Sequence, residues 1–346
     1  MARKLRYKPE NVCYHVVTRV AHRDFMFDDA DKSVIVTMIR KVEAFTGVNV
    51  LTYTVMSNHI HLLLFVDKPR NLLEWENVSL YASLNFEAIK KGDVYQIGAT
   101  TFNQKEVDEI KRLRGMSIFE RYEITLDELK TRMRTLMRPQ AYDELMEQWA
   151  RLSDSELYEE YERQFVRMYD LSEFMKILKQ NITQCYNYSH DHVGGLWEGR
   201  YKDSIIQRSM TAMSAVATYI DLNAWRAKMV SKPSDYSWCG WHAAILGDNL
   251  RRQAYKFIYD TNSIWSEVEA SHRQTLQERM DKDNIRQGEI EEKVFTSGGI
   301  IGSSEFVKGM VKLDGSVFPK ERRSSPVDAK IGNSGLKVLR NLAIIR

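Results

Sequence analysis

Val50-Leu51-Thr52-Tyr53-Thr54-Val55-Met56-Ser57-Asn58-His59-Ile60-His61-Leu62-Leu63-Leu64-Phe65-Val66 is the stretch on which the fold turns. β-branched and aromatic residues fill its first half, and the polar Ser57-Asn58 pair breaks it in two. The reading is two consecutive strands, Val50–Met56 and His59–Val66. The second has apolar character on both faces, which makes it a central strand covered on both sides.

Working outward, Val12-Cys13-Tyr14-His15-Val16-Val17-Thr18 reads as an earlier strand. Asp28 and Asp29 can cap a helix whose apolar positions Ile35, Met38, Ile39, Val42 and Phe45 repeat at helical spacing, and Gly47 is placed to end it. The first 66 residues therefore read β-α-β-β, the opening half of a ferredoxin-like split βαβ unit. Residues 67–170 interrupt it with polar helical patterns rich in Glu, Arg and Met and with few strand signals, so a helical insertion with solvated, charge-alternating faces is expected. Architecture resumes with Ser172 as N-cap of a helix bearing Phe174, Ile177, Leu178, Ile182 and Cys185. After Gly194-Gly195, Arg200–Gln207 offers a fourth strand and Thr211–Arg226 a further helix.

The expected class is α+β: a ferredoxin-like antiparallel sheet with helices on one face, split between residues 1–66 and 170–247. A helical insertion (67–169) interrupts it. A helical C-terminal extension (248–307) follows, in which Trp265, Val268 and Leu276 would dock on the main domain. Gly298-Gly299, Gly302 and Gly315 read as turns, and 308–346 as a basic, flexible tail.

Composition sets the limits. The chain has 346 residues, 43% of them hydrophobic, which is ample for packed cores and excludes a wholly disordered or fibrous chain. Its formal net charge of +3 taken alone does not suggest a nucleic-acid binder. That total hides structure, because residues 104–163 hold 15 acidic against 11 basic residues, while 308–346 hold 9 basic against 3 acidic. An acidic middle masks a basic tail. Cys13, Cys185 and Cys239 are odd in number and widely spaced, with neither a disulfide framework nor metal-ligand spacing. The basic start lacks the apolar core of a signal peptide, and no run approaches ~18 apolar residues. A soluble cytoplasmic protein with no membrane partner is expected.

The chemistry lies in His59 and His61. Two apart on a strand, their imidazoles share a face, roughly 7 Å apart along it, while Ile60, Leu62 and Leu64 face the other way. Such a pair either makes local hydrogen bonds or holds a divalent metal with a third ligand from a facing element. The Thr211–Arg226 helix offers one. Met213, Val216, Ala217 and Ile220 form its core stripe, and Tyr219 and Asn223, one turn apart, share the face beside it. An amide oxygen there can ligate a metal while the phenol attacks a phosphate; alone, Tyr219 would read as an ordinary core-edge tyrosine. His15 shares a face with Cys13 and Val17 and is left outside the ligand set. So are His22, His190, His192, His242 and His272, which lack partners at ligand spacing.

Ser57-Asn58-His59-Ile60-His61-Leu62-Leu63-Leu64 resembles the His-hydrophobic-His (HUH) motif of single-tyrosine transposases. Gly195-Leu196-Trp197-Glu198-Gly199-Arg200-Tyr201-Lys202 resembles their branch associated with repetitive extragenic palindromes, the REP-associated tyrosine transposases. So do Tyr219-Ile220-Asp221-Leu222-Asn223-Ala224-Trp225-Arg226-Ala227, Asp235-Tyr236-Ser237-Trp238 and the start Tyr14-His15-Val16-Val17-Thr18-Arg19. The resemblance implies a site-specific endonuclease and strand transferase acting on single-stranded DNA at hairpins or palindromic repeats. It implies His59, His61 and Asn223 as ligands of Mg2+ or Mn2+, and Tyr219 as the nucleophile that forms a 5′-phosphotyrosine. Two features depart from the family: Ala224 stands where Pro is usual, and the insertion of about a hundred residues is unusual.

DNA contact is expected from the arm Arg3, Lys4, Arg6 and Lys8, and from Arg200, Lys202 and Arg226. Trp197 and Tyr201 either stack on bases, at roughly 1–3 kcal/mol per base, or anchor the core. The basic tail is a solvated linker or a non-specific phosphate contact. One tyrosine per chain makes one covalent link at a time, so a two-ended element calls for a homodimer or sequential reactions. A bacterial, nucleoid-associated location would follow. The alternatives are a non-cleaving, domesticated DNA-binding protein that recognises palindromic repeats, and an unrelated metal phosphohydrolase.

Overall fold

The computed structural model describes residues 11–21, 26–66, 124–165, 167–282, 294–296, 298–313 and 335–340, with short pieces between 89 and 108 and at 327–328. The chain divides into two compact units. One holds residues 1–43, 47–66 and 171–346, and the other 44–46 and 67–170.

The first unit opens with β1 (Val12–Arg19), α1 (Asp29–Thr46), β2 (Asn49–Val55) and β3 (His59–Phe65). Both signals expected to bound α1 operate. Asp28 accepts from the Asp31 amide while the Asp31 carboxylate accepts from the Asp28 amide, and Gly47 closes the helix at φ 69°. A side chain at Gly47 would meet the left-handed penalty, so Gly47→Ala should lower stability by about 1 kcal/mol. Urea unfolding would measure it.

The second unit is the insertion. It contains β4 (Ile89–Lys91), β5 (Val94–Ile97) and β6 (Thr100–Phe102), then α2 (Leu126–Leu136), α3 (Pro139–Trp149) and α4 (Asp154–Phe165). The three strands form an antiparallel sheet of their own, so the insertion, read as mostly helical, also carries a small sheet. Strands of three or four residues are too short for alternation to register. The helices close over Leu129, Met133, Trp149 and Tyr161, whose hydroxyl donates to the Ile124 carbonyl at 2.6 Å.

The first unit resumes with α5 (Leu171–Ser189), β7 (Lys202–Gln207), α6 (Met210–Asp221), the single turn α7 (Asn223–Arg226), α8 (Gly240–Ile245), α9 (Asn249–Ile258) and α10 (Trp265–Lys282). It ends in β8 (Gly299–Gly302), α11 (Ser304–Leu313), β9 (Val327–Asp328) and β10 (Lys337–Arg340). α5 begins one residue before Ser172, whose hydroxyl instead pairs with that of Tyr201. The expected Thr211–Arg226 helix breaks at Leu222 into α6 and α7.

The main sheet runs β2-β3-β1-β7-β8-β10-β9. Its first four strands pair antiparallel throughout, and with α1 and α5 as crossovers they make the expected ferredoxin-like α+β unit. To this the structure adds a second helical layer. Cys13, Leu51, Leu63, Phe65 and Ile206 on one sheet face pack with α6, α8, α9 and α10, including Val268 and Leu276. Glu43 of α1 and Arg251 of α9 form a buried ion pair.

The end of the chain differs most from expectation. β8 pairs parallel with β7, and β10 pairs antiparallel with β8, so a segment read as glycine turns and flexible tail extends the sheet. Gly302 closes β8 at a point where a Cβ would come within 2.6 Å of the Phe306 ring and 2.7 Å of the Gln207 side chain. Gly302→Ala should therefore cost about 1–3 kcal/mol by overpacking, read as a lowered unfolding midpoint. Among the described residues no helix is long and apolar enough to cross a membrane.

Candidate active site

Strand alternation places Cys13, His15, Val17 and Arg19 of β1 on the same face as His59, His61, Leu63 and Phe65 of β3. Val17 lies opposite His61 and Arg19 opposite His59. The rings of His59 and His61 stand with centroids 4.9 Å apart, and His15 stacks on His61 at 5.2 Å.

Their hydrogen bonds dictate where the ring protons sit. His59 Nδ1–H donates to Asn58 Oδ1 at 2.6 Å, because an amide oxygen can only accept; that leaves Nε2 bare. His15 Nδ1–H likewise donates to the Phe295 carbonyl at 2.9 Å, so its Nε2 is an acceptor for His61 Nδ1–H at 3.0 Å. His61 then also presents a bare Nε2. Two neutral imidazoles with free Nε2 lone pairs on one strand face are a chemically fitting half of a divalent-cation site.

The electrostatics agree. Burial lowers His15 and His59 to about 4, with the Arg19 charge adding to the effect on His59. Burial, then the His59, His15 and Arg19 charges, hold His61 well below its usual range. Unfolded, these rings take up protons near 6.5. Between that value and about 4 the unfolded chain binds more protons than the folded one, so stability is fully present above about 6.5 and lost as pH falls. Urea midpoints measured from pH 7 to pH 4 on the metal-free protein should fall over this window.

α6 brings the tyrosine. Ser209 caps it by accepting from the Ala212 amide, and Met213, Val216, Ala217 and Ile220 are buried as the stripe requires. Tyr219 is 4% exposed, its ring centroid 5.6 Å from that of His61, 5.8 Å from His15 and 4.7 Å from Phe295. The Arg226 guanidinium stands 5.5 Å from the Tyr219 ring centre, so this residue, expected at DNA, lies beside the tyrosine. Asn223 donates through Nδ2 to the Tyr219 and Ile220 carbonyls at 2.9 and 3.2 Å, closing the end of α6. Among the described residues its Oδ1 accepts no hydrogen bond.

Asp221, between those two residues, ties the helix down. Its carboxylate, 1% exposed, accepts from Thr52 Oγ1 (2.9 Å), Tyr255 Oη (2.7 Å) and His272 Nε2 (2.9 Å). The Thr54 hydroxyl donates to the Ile220 carbonyl at 2.8 Å. His272 also meets the Tyr259 hydroxyl through Nδ1 at 2.9 Å. Sequence spacing gave His272 no partner, since its partners come from α6 and α9. The only local signal was a carboxylate inside an apolar helix.

The DNA-contact candidates divide. Arg3, Lys4, Arg6 and Lys8 fall outside the described residues. Arg200 and Lys202 are exposed. Trp197 is half-buried, its indole N–H donating to Lys179 O (3.2 Å) and Thr183 Oγ1 (2.9 Å), as a core anchor would. Tyr201 is buried. Asp28, Asp31 and His190 also cluster closely enough for metal. Their arrangement is accounted for by the α1 capping box and a His190–Asp31 hydrogen bond of 2.9 Å.

A search of curated proteins finds no match. Among solved structures, a REP-associated tyrosine transposase bound to a REP hairpin is similar at 11% identity and a TM-score of 0.36, over 71% of this chain and 87% of that one. Residues 8–74 match the family model for IS200-like transposases. The β1–α1–β2–β3 segment that carries His15, His59 and His61 lies within the stretch similar to IS200-like transposases, in line with the resemblance read from the sequence.

Proposed function

We propose that this protein is a single-tyrosine DNA endonuclease and strand transferase acting on single-stranded DNA at hairpins or palindromic repeats. The observation that carries the reading is the convergence of Tyr219 with His59 and His61 in one chain, through contacts of 5.6 and 4.9 Å between ring centroids. His59 and His61, through their bare Nε2 atoms, and Asn223, through Oδ1, would hold Mg2+ or Mn2+. The cation would supply Lewis-acid polarisation of the scissile phosphate and hold it in place.

Tyr219 Oη attacks phosphorus; the Oη–P bond forms as the bond to the 3′-oxygen breaks, giving a 5′-phosphotyrosine and a free 3′-OH. The phosphoester is retained, so a later 3′-OH can displace the tyrosine, which separates strand transfer from hydrolysis. The phenol gives up its proton to solvent as it attacks, and the departing 3′-oxygen takes one up to become the 3′-OH. The Arg226 cation over its ring favours the negative charge that develops on the oxygen. Arg19, beside both imidazoles, adds positive charge where a phosphate would enter. Arg200 and Lys202, with the Arg3–Lys8 arm, would bind the strand backbone, and the residue set suits a cytoplasmic, nucleoid-associated enzyme working singly or as a homodimer.

A second reading, a DNA-binding protein that recognises palindromic repeats without cutting them, is favoured by one observation, the burial of Tyr219 beneath Phe295. Incubation with labelled hairpin oligonucleotides and Mn2+ separates the two. A denaturation-resistant protein–DNA adduct supports the nuclease; tight hairpin binding with no adduct on any substrate supports the second reading.

A further inference from the structure

We propose that His15 is a positioning residue of this centre. Through its two ring nitrogens it couples the Phe295 carbonyl, from the end of the chain, to His61 and so determines which His61 nitrogen stays bare. The functional consequence rests on the nuclease reading above; the proton arrangement itself belongs to the metal-free protein.

The argument is one of donors and acceptors. The Phe295 carbonyl cannot donate, so His15 Nδ1, 2.9 Å away, must carry its proton. That same oxygen accepts from Ser204 Oγ at 3.1 Å, and Ser204 pairs with His15 across β1 and β7. Two buried donors on adjacent strands therefore fix the carbonyl. His15 is fully buried, which favours the neutral ring, and a neutral ring protonated at Nδ1 has a lone pair at Nε2. His61 Nδ1, 3.0 Å from that lone pair, is made the donor. The rings stack at 5.2 Å with planes 10° apart, so His61 is held in orientation as well as in tautomer. Without His15 a proton on His61 Nδ1 would lose its acceptor, so it would favour Nε2, where it blocks a ligand. Phe295 contributes twice, because its ring also lies against Tyr219.

The test uses the full chain, metal-free, with histidines selectively labelled with 15N. In the wild type, His15 and His61 should both carry the proton on Nδ1. His15→Phe should move His61 toward the Nε2–H form and weaken Mn2+ binding, measured by calorimetry, about 10–100-fold. His15→Gln, whose amide can both donate to Phe295 and accept from His61, should keep the wild-type His61 pattern and hold Mn2+ affinity within about threefold. Three results would overturn the proposal: an Nε2 proton on His61 in the wild type, an unchanged His61 pattern in folded His15→Phe, or equal impairment in the Gln and Phe variants. A wild type with the expected protons that binds no Mn2+ upholds the coupling and removes the nuclease reading beneath it.

Discussion

Tyr219→Phe is expected to abolish covalent adduct formation with a labelled hairpin while leaving hairpin binding unchanged. The substitution removes one oxygen. The ring that packs against Phe295, His61 and His15 stays, as does the buried stripe that seats α6. Losing a covalent nucleophile commonly costs on the order of 10³-fold or more, which takes the adduct below detection in gel analysis. An adduct that persists would make another tyrosine the nucleophile. Tyr188, 90% exposed, would be tested first, since Tyr201 is buried with its hydroxyl on Ser172. His59→Ala and His61→Ala should each abolish metal-dependent cleavage, and unchanged cleavage would remove the histidines from the chemistry.

Asp221→Ala should produce the largest loss of stability. The carboxylate serves three buried donors, the Thr52 and Tyr255 hydroxyls and the His272 ring, which lie on β2, α9 and α10. Alanine leaves all three without their acceptor in a site closed to water. Unsatisfied buried groups cost about 1–3 kcal/mol each and do not add in full, so about 3–5 kcal/mol is expected. Asp221→Asn keeps one accepting oxygen and should lose less. Urea unfolding of both variants gives the comparison; a loss under about 1 kcal/mol for the alanine variant would mean that the network is not holding the helix. Because Tyr219 and Asn223 flank this residue, hairpin cleavage should fall along with stability.

What was legible in the sequence was local. β1, β2 and β3 are dense in β-branched and aromatic residues, and α1 announces itself by Asp28 at one end and Gly47 at the other. The pairing of His59 with His61 is a two-residue relation. His15 was seen on the right face yet left without a role, because its partners, His61 and Phe295, lie 46 and 280 residues away. Only strand register puts it beside His61. The Asp221 network was hidden for the same reason. β8 and β10 escaped because they are four residues each and, in β8, bounded by glycines that read as turns. Glycine is there for close approach to Gln207 and Phe306, a fact about neighbours that composition does not carry.

The hydrogen bond between His15 and Phe295 has a consequence for synthesis. During translation the two residues are separated by nearly the whole chain, and β8, which completes the sheet beside β7, follows Phe295 by four positions. A nascent chain can pair β1 with β3 early, but such distant contacts form late and slowly. The histidines therefore meet their last partner only when Phe295 has left the ribosome. A chain cut short before Phe295 would carry His15, His59, His61 and Tyr219 with His15 lacking its carbonyl partner. Completion of the histidine cluster is in this way tied to synthesis of the chain through Phe295.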